Sequence, residues 1–406
     1  MPDAAAKPRQ GRTATEIPIT KPLFGEEELR AVQLPLESGW VVQGPYVAAF
    51  EAKVATVAGA EHGVATNSCT TALHIAVAAL ELSPGDEVIV PALTWVSTAN
   101  VVEYMGATPV FCDVDLATFN LDVAHLDSLV TPRTVGILPV HLFGLSADMD
   151  AVGAVAQRHG LWVVEDAACA LGATYGGRPV GALGDAGCFS FHPRKSVTTG
   201  EGGLIATNRA DLAEAAVSLR DHGASRSDLA RHESTARFLL SSYDRLGFNF
   251  RMTDIQGALG SVQMDRFAGI LETKQRLAAR YDTLLAELGW LRTPFVPDGY
   301  EHAYQTYVCL YAPEEPRLAQ VPELKRQRNR IMQRLEDEGI ATRQGTHAAA
   351  LQGYYARKYA LSPEDFPRAA VAEALTISLP LFPQLTHAEQ DVVVERLAAA
   401  QQALEA

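Results

Sequence analysis

The sequence predicts an α/β protein: a large domain on a mostly parallel sheet, followed by a smaller C-terminal α+β domain. Three observations carry this. Between about Gly59 and Asn208, short apolar runs alternate with helix-like segments. Near-continuous apolar strands separated by helices are the mark of a parallel sheet covered on both faces. After Thr253 the alternation gives way to long amphipathic patterns, which suit a smaller domain of another architecture. Finally, 406 residues at 48% hydrophobic composition can bury a large core and leave chain for a second domain.

Taken in order, "MPDAAAKPRQGRTATE" has early basic residues with no apolar run behind them, so residues 1–15 read as a flexible tail and not as a secretory signal. Residues 16–289 read as the large domain. Its strands are expected in "EVIVPA", "TPVFCDVD", "VGILPVH", "LWVVEDAA", "AGCFSFH" and "GGLIATN", with helices such as Thr70 to Leu82 and Met149 to His159 among them. The polar stretch Ser225 to Arg245 is long for a connection and reads as a projecting functional element. A long helical pattern then runs from Thr253 through Leu288. Residues 290–406 read as the small domain, with a strand in "AYQTYVCLYA", an amphipathic helix around Glu323 to Glu338 and a terminal helix from His387.

A formal charge of -14 disfavours nucleic acid or an anionic membrane as partner, because phosphate binding needs a basic face. Five cysteines without CxxC spacing argue against a disulfide framework and against zinc. No apolar run is long enough to span a bilayer. The cytoplasm is the expected compartment.

In doubly wound sheets ligands gather at the carboxyl ends of the strands, so polar residues that follow apolar runs are the candidates. In "TNSCTTALH" hydroxyls and backbone N–H groups stand at a helix start, where a phosphate is welcome, although Ser68 or Thr70 could simply cap the helix. Trp95 follows the strand 87–91 and can stack on a planar ring or pack in the core. Asp166 ends the strand of "LWVVEDAAC", where it could hold a cationic ring nitrogen, cap a helix or bind a metal. In "SFHPRKSVTTGEGG" a lone lysine, Lys195, sits where neither helix nor strand is well served. A buried lysine there is expected to lose charge and so gain the ability to form a Schiff base; a solvated surface lysine is the plain alternative. Ser190 can add a hydroxyl to a phosphate, and the glycines let backbone pass close to a ligand. Together these four places are the parts that hold pyridoxal phosphate. Rival cofactor motifs are missing: there is no GxGxxG after a strand, no GxxxxGK[ST] and no HExxH.

The whole set resembles the DegT/DnrJ/EryC1/StrS family of pyridoxal-phosphate-dependent sugar aminotransferases. The segments that carry the resemblance are "ITKPLFGEEEL", "SGWVVQGPYVAAFE", "PGDEVIVPALTWVSTANVVEYMGATPVFCDVD", "PVHLFGLSADMDAV", "VVEDAACALGA", "FSFHPRKSVTTGEGG", "GFNFRMTDIQGALG" and "LPLFPQLT", in order along nearly the full chain. The resemblance implies the fold type I architecture of the aspartate aminotransferases, with a seven-stranded type of sheet. It implies that Lys195 forms the Schiff base and moves the proton, that Asp166 pairs with the pyridinium nitrogen, and that Trp95 stacks on the ring. It implies that Cys69, Thr70 and Ser190 hold the phosphate. Asn249 is similar to a residue that the family supplies from a second subunit, which implies a homodimer with shared sites.

Three positions depart from the family pattern. Cys169 stands where His or Gln is usual against the ring, and Cys69 where Gly or Ala is usual. "ATRQGTHAAALQGYY" lacks the aromatic-Pro-x-x-Leu-His pattern, which leaves His347 as a bare candidate for the sugar pocket.

The expected reaction is transfer of an amino group from an amino acid, by resemblance L-glutamate, to a keto-deoxy sugar on a nucleotide, with pyridoxal and pyridoxamine 5'-phosphate alternating. In this acidic chain the sugar's diphosphate is expected to meet local bases, with Arg226, Arg251 and Lys21 as candidates. The rival readings are a pyridoxamine-dependent dehydratase, which replaces the lysine by His, and a non-catalytic sugar-nucleotide-binding relative. Lys195 speaks against the first, and the intact set Lys195, Asp166, Ser190 and Thr70 against the second.

Overall fold

The computed structural model describes residues 16–225 and 240–405. The expected tail 1–15 and most of the projecting segment, residues 226–239 with Arg226, lie outside the described residues.

The central sheet has seven strands: β1 (His62–Thr66), β2 (Glu87–Pro91), β3 (Thr108–Cys112), β4 (Thr134–Ile137), β5 (Trp162–Asp166), β8 (Ala186–Ser190) and β9 (Gly203–Thr207), in the order β1-β9-β8-β5-β4-β2-β3. Strands β3, β2, β4, β5 and β8 pair in parallel, while β9 runs antiparallel to both of its neighbours, β8 and β1. The mostly parallel sheet is as expected. The reversal of β9 goes with its connection: residues 191–202, which join it to β8, contain no helix, whereas a parallel return usually carries one across the sheet. Lys195 therefore lies in a hairpin-like connection, which accounts for its poor fit to either helix or strand.

Side chains alternate between the two faces, so the sheet has two cores. Val64, Val88, Val90, Val164, Cys188 and Ile205 pack on one side, and Ala65, Ile89, Ile137, Val163, Phe189 and Leu204 on the other. Because six of the strands point the same way, the ends of β1, β2, β5 and β8 and the start of β9 fall on one edge of the sheet. All the strand-end candidates share that edge.

Two small sheets complete the topology. The first joins β10 (Leu291–Arg292), β12 (Tyr307–Tyr311) and β13 (Thr376–Leu379), all antiparallel. The second joins β6 (Thr174–Tyr175), β7 (Arg178–Pro179) and β11 (Tyr300–Glu301). The helical pattern after Thr253 resolves into two helices, Asp254–Asp265 and Phe267–Leu285. The first of them packs closely on the helix Pro45–Ala58: a Cβ at Gly257 would come within 2.5 Å of Val47 N, and one at Gly260 within 2.7 Å of the Phe50 ring. Near the start of the chain, Ile17 N donates to Gly339 O at 2.9 Å and Leu381 N donates to Ile19 O at 3.1 Å, tying residues 17–19 to the C-terminal part. Among the described residues no helix is long and apolar enough to cross a membrane, no group of side chains is suited to a metal ion, and all five cysteines are free.

Candidate active site

At the end of β1 the helix Cys69–Ala79 begins, and Ser68 is its N-cap, with Ser68 Oγ accepting from Thr71 N at 3.2 Å. Capping thus belongs to Ser68. Thr70 takes no part in it, and among the described residues the hydroxyls of Thr70 and Ser190 meet no protein partner. The start of β9 passes directly against this turn. A Cβ on Gly203 would lie 2.2 Å from Ser68 O and 2.6 Å from Cys69 N, so only glycine permits the approach. Free N–H groups, the positive end of the helix and two uncommitted hydroxyls form a cup with the chemistry of a phosphate site. Burial pushes the Cys69 thiol well above its ordinary range, and its Sγ points to Cys188 O at 3.6 Å, so the side chain itself stays neutral and turned away into the protein.

At the end of β5, Asp166 is 3% exposed. Its Oδ2 accepts from Thr98 Oγ1 at 2.7 Å and its Oδ1 from Ala168 N at 3.2 Å. Burial raises its pKa, and the two hydrogen bonds work in the other direction. Behind it lies a wholly buried pair: His141 Nδ1 accepts from Ala147 N at 3.0 Å, which leaves Nε2 to donate to Glu165 Oε2 at 2.8 Å. Glu165 also accepts from the N–H groups of Gly181, Leu183 and Gly184, and so fixes the loop before β8.

Lys195 Nζ donates to Cys169 Sγ at 3.1 Å. Its burial opposes the charge, as expected, but its contact with Cys169 and the nearby Asp166 carboxylate together favour it, and the net shift is upward. The expectation of a lowered lysine pKa is therefore corrected. The reason is local: the position that departs from the family pattern, Cys169, puts a polarizable sulfur in direct contact with the amine.

Trp95 follows β2 and is 57% exposed, so it is not a core residue. Its ring lies 5.8 Å from that of His347, tilted by 46°. Thr94 N donates to His347 O at 3.0 Å, and His347 Nδ1 lies 3.4 Å from Glu373 Oε1, which also accepts from Gln352 Nε2 at 2.9 Å. The structure thus places His347 beside Trp95, at the mouth of the same edge.

The other candidates stand apart. Asn249 is exposed and pairs through its backbone with Asp221, and Arg251 is engaged in an ion pair with Asp221. No contact links either to Lys195. Lys21 is exposed. In the same "GFNFRMTD" motif, Thr253 caps its own helix while Asp254 Oδ1 accepts from Gly44 N and Val47 N, both at 2.9 Å, so part of that motif is architecture.

Sequence reasoning missed Lys274, which is 3% exposed and donates to Ser196 Oγ at 3.1 Å and to Gln305 O at 3.0 Å. Burial brings its pKa down to about 7. Nothing in the surrounding "ETKQRLAARY" marks it, because a lysine in a charged helix reads as solvated.

Residues 22–398 match the model of the DegT/DnrJ/EryC1/StrS aminotransferase family. The chain is 41% identical over 382 residues to the spore coat polysaccharide biosynthesis protein SpsC of Bacillus subtilis (strain 168), covering 93% of this chain and 95% of that one. Among solved structures, Spr1654 of Streptococcus pneumoniae, a candidate sugar aminotransferase solved in its PMP form, superposes with a TM-score of 0.87 at 28% identity, over 95% of this chain and 99% of that one. The aminotransferase TlmJ of Streptoalloteichus hindustanus gives 0.86 at 30% identity, over 96% and 100%.

Proposed function

Given that this chain belongs to the DegT/DnrJ/EryC1/StrS aminotransferase family, we propose that it transfers an amino group from L-glutamate to the ketone of a nucleotide-linked deoxy sugar, using pyridoxal 5'-phosphate held at the edge just described. The observation that carries this is the convergence of Lys195, Asp166 and the Ser68–Thr70 turn at one edge of the sheet, with Lys195 Nζ 3.1 Å from Cys169 Sγ. SpsC, by its name, works in spore coat polysaccharide biosynthesis, and Spr1654 is solved in both PMP and PLP forms. The relatives thus favour a sugar substrate and this cofactor.

The residues fit the cofactor. The Thr70 and Ser190 hydroxyls and the helix start would hold its phosphate, the close passage of Gly203 being the cradle that a Cβ would fill. Asp166 would hold the ring nitrogen, because a carboxylate fixed by Thr98 and Ala168 is a ready partner for a cationic N–H. Trp95 would cover the ring, with His347 beyond it. When bound, the cofactor supplies the electron sink that lets a carbon–hydrogen bond beside nitrogen break.

Lys195 Nζ would take the proton at that carbon as the neutral amine and return it as the ammonium, and its raised pKa suits the return step. The donor and the sugar use the same lysine in turn.

We further read Asn249 as completing the site of a second copy. It is exposed, and Leu240 (87%), Tyr243 (64%) and Leu246 (93%) shortly before it form a group of exposed apolar side chains that a second copy would cover. Lys21 and Arg226 stand as the bases for the sugar's diphosphate, with Arg251 available only if Asp221 releases it.

The test is transamination itself. Purified protein with L-glutamate and a nucleotide-linked keto sugar should release 2-oxoglutarate and the amino sugar in equal amounts, and Lys195→Ala should release neither. Equal turnover by Lys195→Ala would remove the reading.

A further inference from the structure

Lys274 belongs to the helix Phe267–Leu285 and reaches the connection between β8 and β9 from outside it. Its Nζ donates to Ser196 Oγ and to Gln305 O, while Gln305 Nε2 donates to Arg194 O at 3.0 Å. The residues on either side of Lys195 are thus gripped from one direction by Lys274 and Gln305 together. A buried lysine normally pairs with a carboxylate; among the described residues this one has none within ion-pair reach.

We propose that Lys274 is a positioning residue for Lys195, holding residues 194–196 in the register that keeps the reactive amine against Cys169. This rests on the reading of Lys195 as the reactive lysine. The number of partners fits a neutral amine: two N–H groups meet two oxygens, whereas an ammonium would bury a third donor unpaired. Burial lowers the amine to about 7, which makes the neutral form the resident one above that pH. The titratable groups that face it are Lys195 from the β8–β9 connection, Cys169 from the segment after β5, and His302 from the segment before β12. His302 stays neutral, since burial brings it down to about 3. Below neutral pH, Lys274 therefore becomes a second cation beside Lys195 and disturbs the amine it positions.

The experiment compares wild type with Lys274→Met, Lys274→Arg and Ser196→Ala in two assays. In the apoenzyme, the rate of reductive methylation of Lys195 by formaldehyde with cyanoborohydride as the hydride donor is followed by mass spectrometry across pH 6 to 10. In the loaded enzyme, kcat and KM are measured for the L-glutamate half-reaction. A misplacement of the reacting amine predicts a kcat about tenfold lower or worse for Lys274→Met with KM little changed. The pH profile of Lys195 labelling should shift in the same variant. Ser196→Ala, which retains Lys274, should move both readouts the same way by less. Lys274→Arg, cationic at every pH, should lack the recovery of rate that wild type shows on going from pH 6 to 8. Wild-type labelling profiles and wild-type kcat in both Lys274→Met and Ser196→Ala would overturn the proposal; if Lys274→Met does not fold, Ser196→Ala decides it. Should Lys195→Ala keep the half-reaction, the functional reading fails instead, and the apoenzyme labelling still reports on the clamp.

Discussion

Replacing Gly203 by alanine is the sharpest perturbation of the phosphate cup. The new Cβ would stand 2.2 Å from Ser68 O, 2.3 Å from Ser68 C and 2.6 Å from Cys69 N, against 3.4 Å for an ordinary contact. The closest pair must therefore separate by 1.2 Å, and every atom it meets is backbone, so no rotamer change can relieve it. Gly203 is paired with Ser190 on β8 and with Thr66 on β1, which blocks retreat on its own side. The turn that starts the helix Cys69–Ala79 has to move instead. Overpacking of this kind costs about 1 to 3 kcal/mol of stability. A displacement of about 1 Å at a binding group can cost about a hundredfold in function. Calorimetry of the Gly203→Ala apoenzyme should show a lower Tm, and titration with pyridoxal 5'-phosphate followed by absorbance should show an affinity weaker by about ten- to a hundredfold. A variant with lowered Tm but wild-type cofactor affinity would refute the placement of the phosphate; one unchanged in both would refute the packing argument itself.

Three other outcomes are expected. Thr98→Val removes the 2.7 Å donor to a buried carboxylate, an interaction worth about 1.5 to 3 kcal/mol; kcat/KM for L-glutamate should fall at least about tenfold, and a change below twofold would exclude Asp166 from contact with the cofactor. In the apoenzyme the Lys274 amine lies near 7 against an ordinary 10.5, so the unfolded chain binds more protons between those values and wild-type stability rises with pH across that window. Urea unfolding at pH 7, 8.5 and 10 should show that rise reduced in Lys274→Met, and an identical slope in both would mean that the amine is not depressed. Lys195→Ala and Asn249→Ala, each inactive alone, should regain activity when co-refolded, because one site of the mixed dimer then has both residues intact; no regain would place Asn249 in its own protomer's site or outside it.

Much of the arrangement is legible in the chain because each strand-end candidate follows an apolar run. The helix Met149–His159 has the predicted bounds, with Asp148 accepting from Ala151 N as its cap and Gly160 closing it. Strand β2 spans residues 87–91 as read, and β5 ends on Asp166. The reversal of β9 is harder to read, since the twelve residues that carry Lys195 are long enough for a crossover and only their lack of a helical pattern speaks against one. What periodicity hides is pairing across distance. Lys274 and Ser196 are 78 residues apart, and neither residue type suggests the other. The contact of Lys195 with Cys169 depends on how two loops meet, and it reverses a pKa argument that considered burial alone. The single helical pattern after Thr253 breaks near Arg266 because its two parts pack on different neighbours. Gly257 and Gly260 seat the first part on the helix Pro45–Ala58, while Leu277 O accepts from Gln390 of the terminal helix in the second.

The central claim is that Lys195 works with pyridoxal 5'-phosphate to accept an amino group from L-glutamate. The direct measurement is the absorbance spectrum of the purified protein with the cofactor, before and after L-glutamate, for wild type and Lys195→Ala. The account predicts a visible band from lysine-bound cofactor in wild type that L-glutamate converts to the pyridoxamine form with release of 2-oxoglutarate, and no such band or release in the variant. A wild-type protein that acquires no cofactor band at saturating pyridoxal 5'-phosphate, or a variant that converts L-glutamate as fast as wild type, would contradict it.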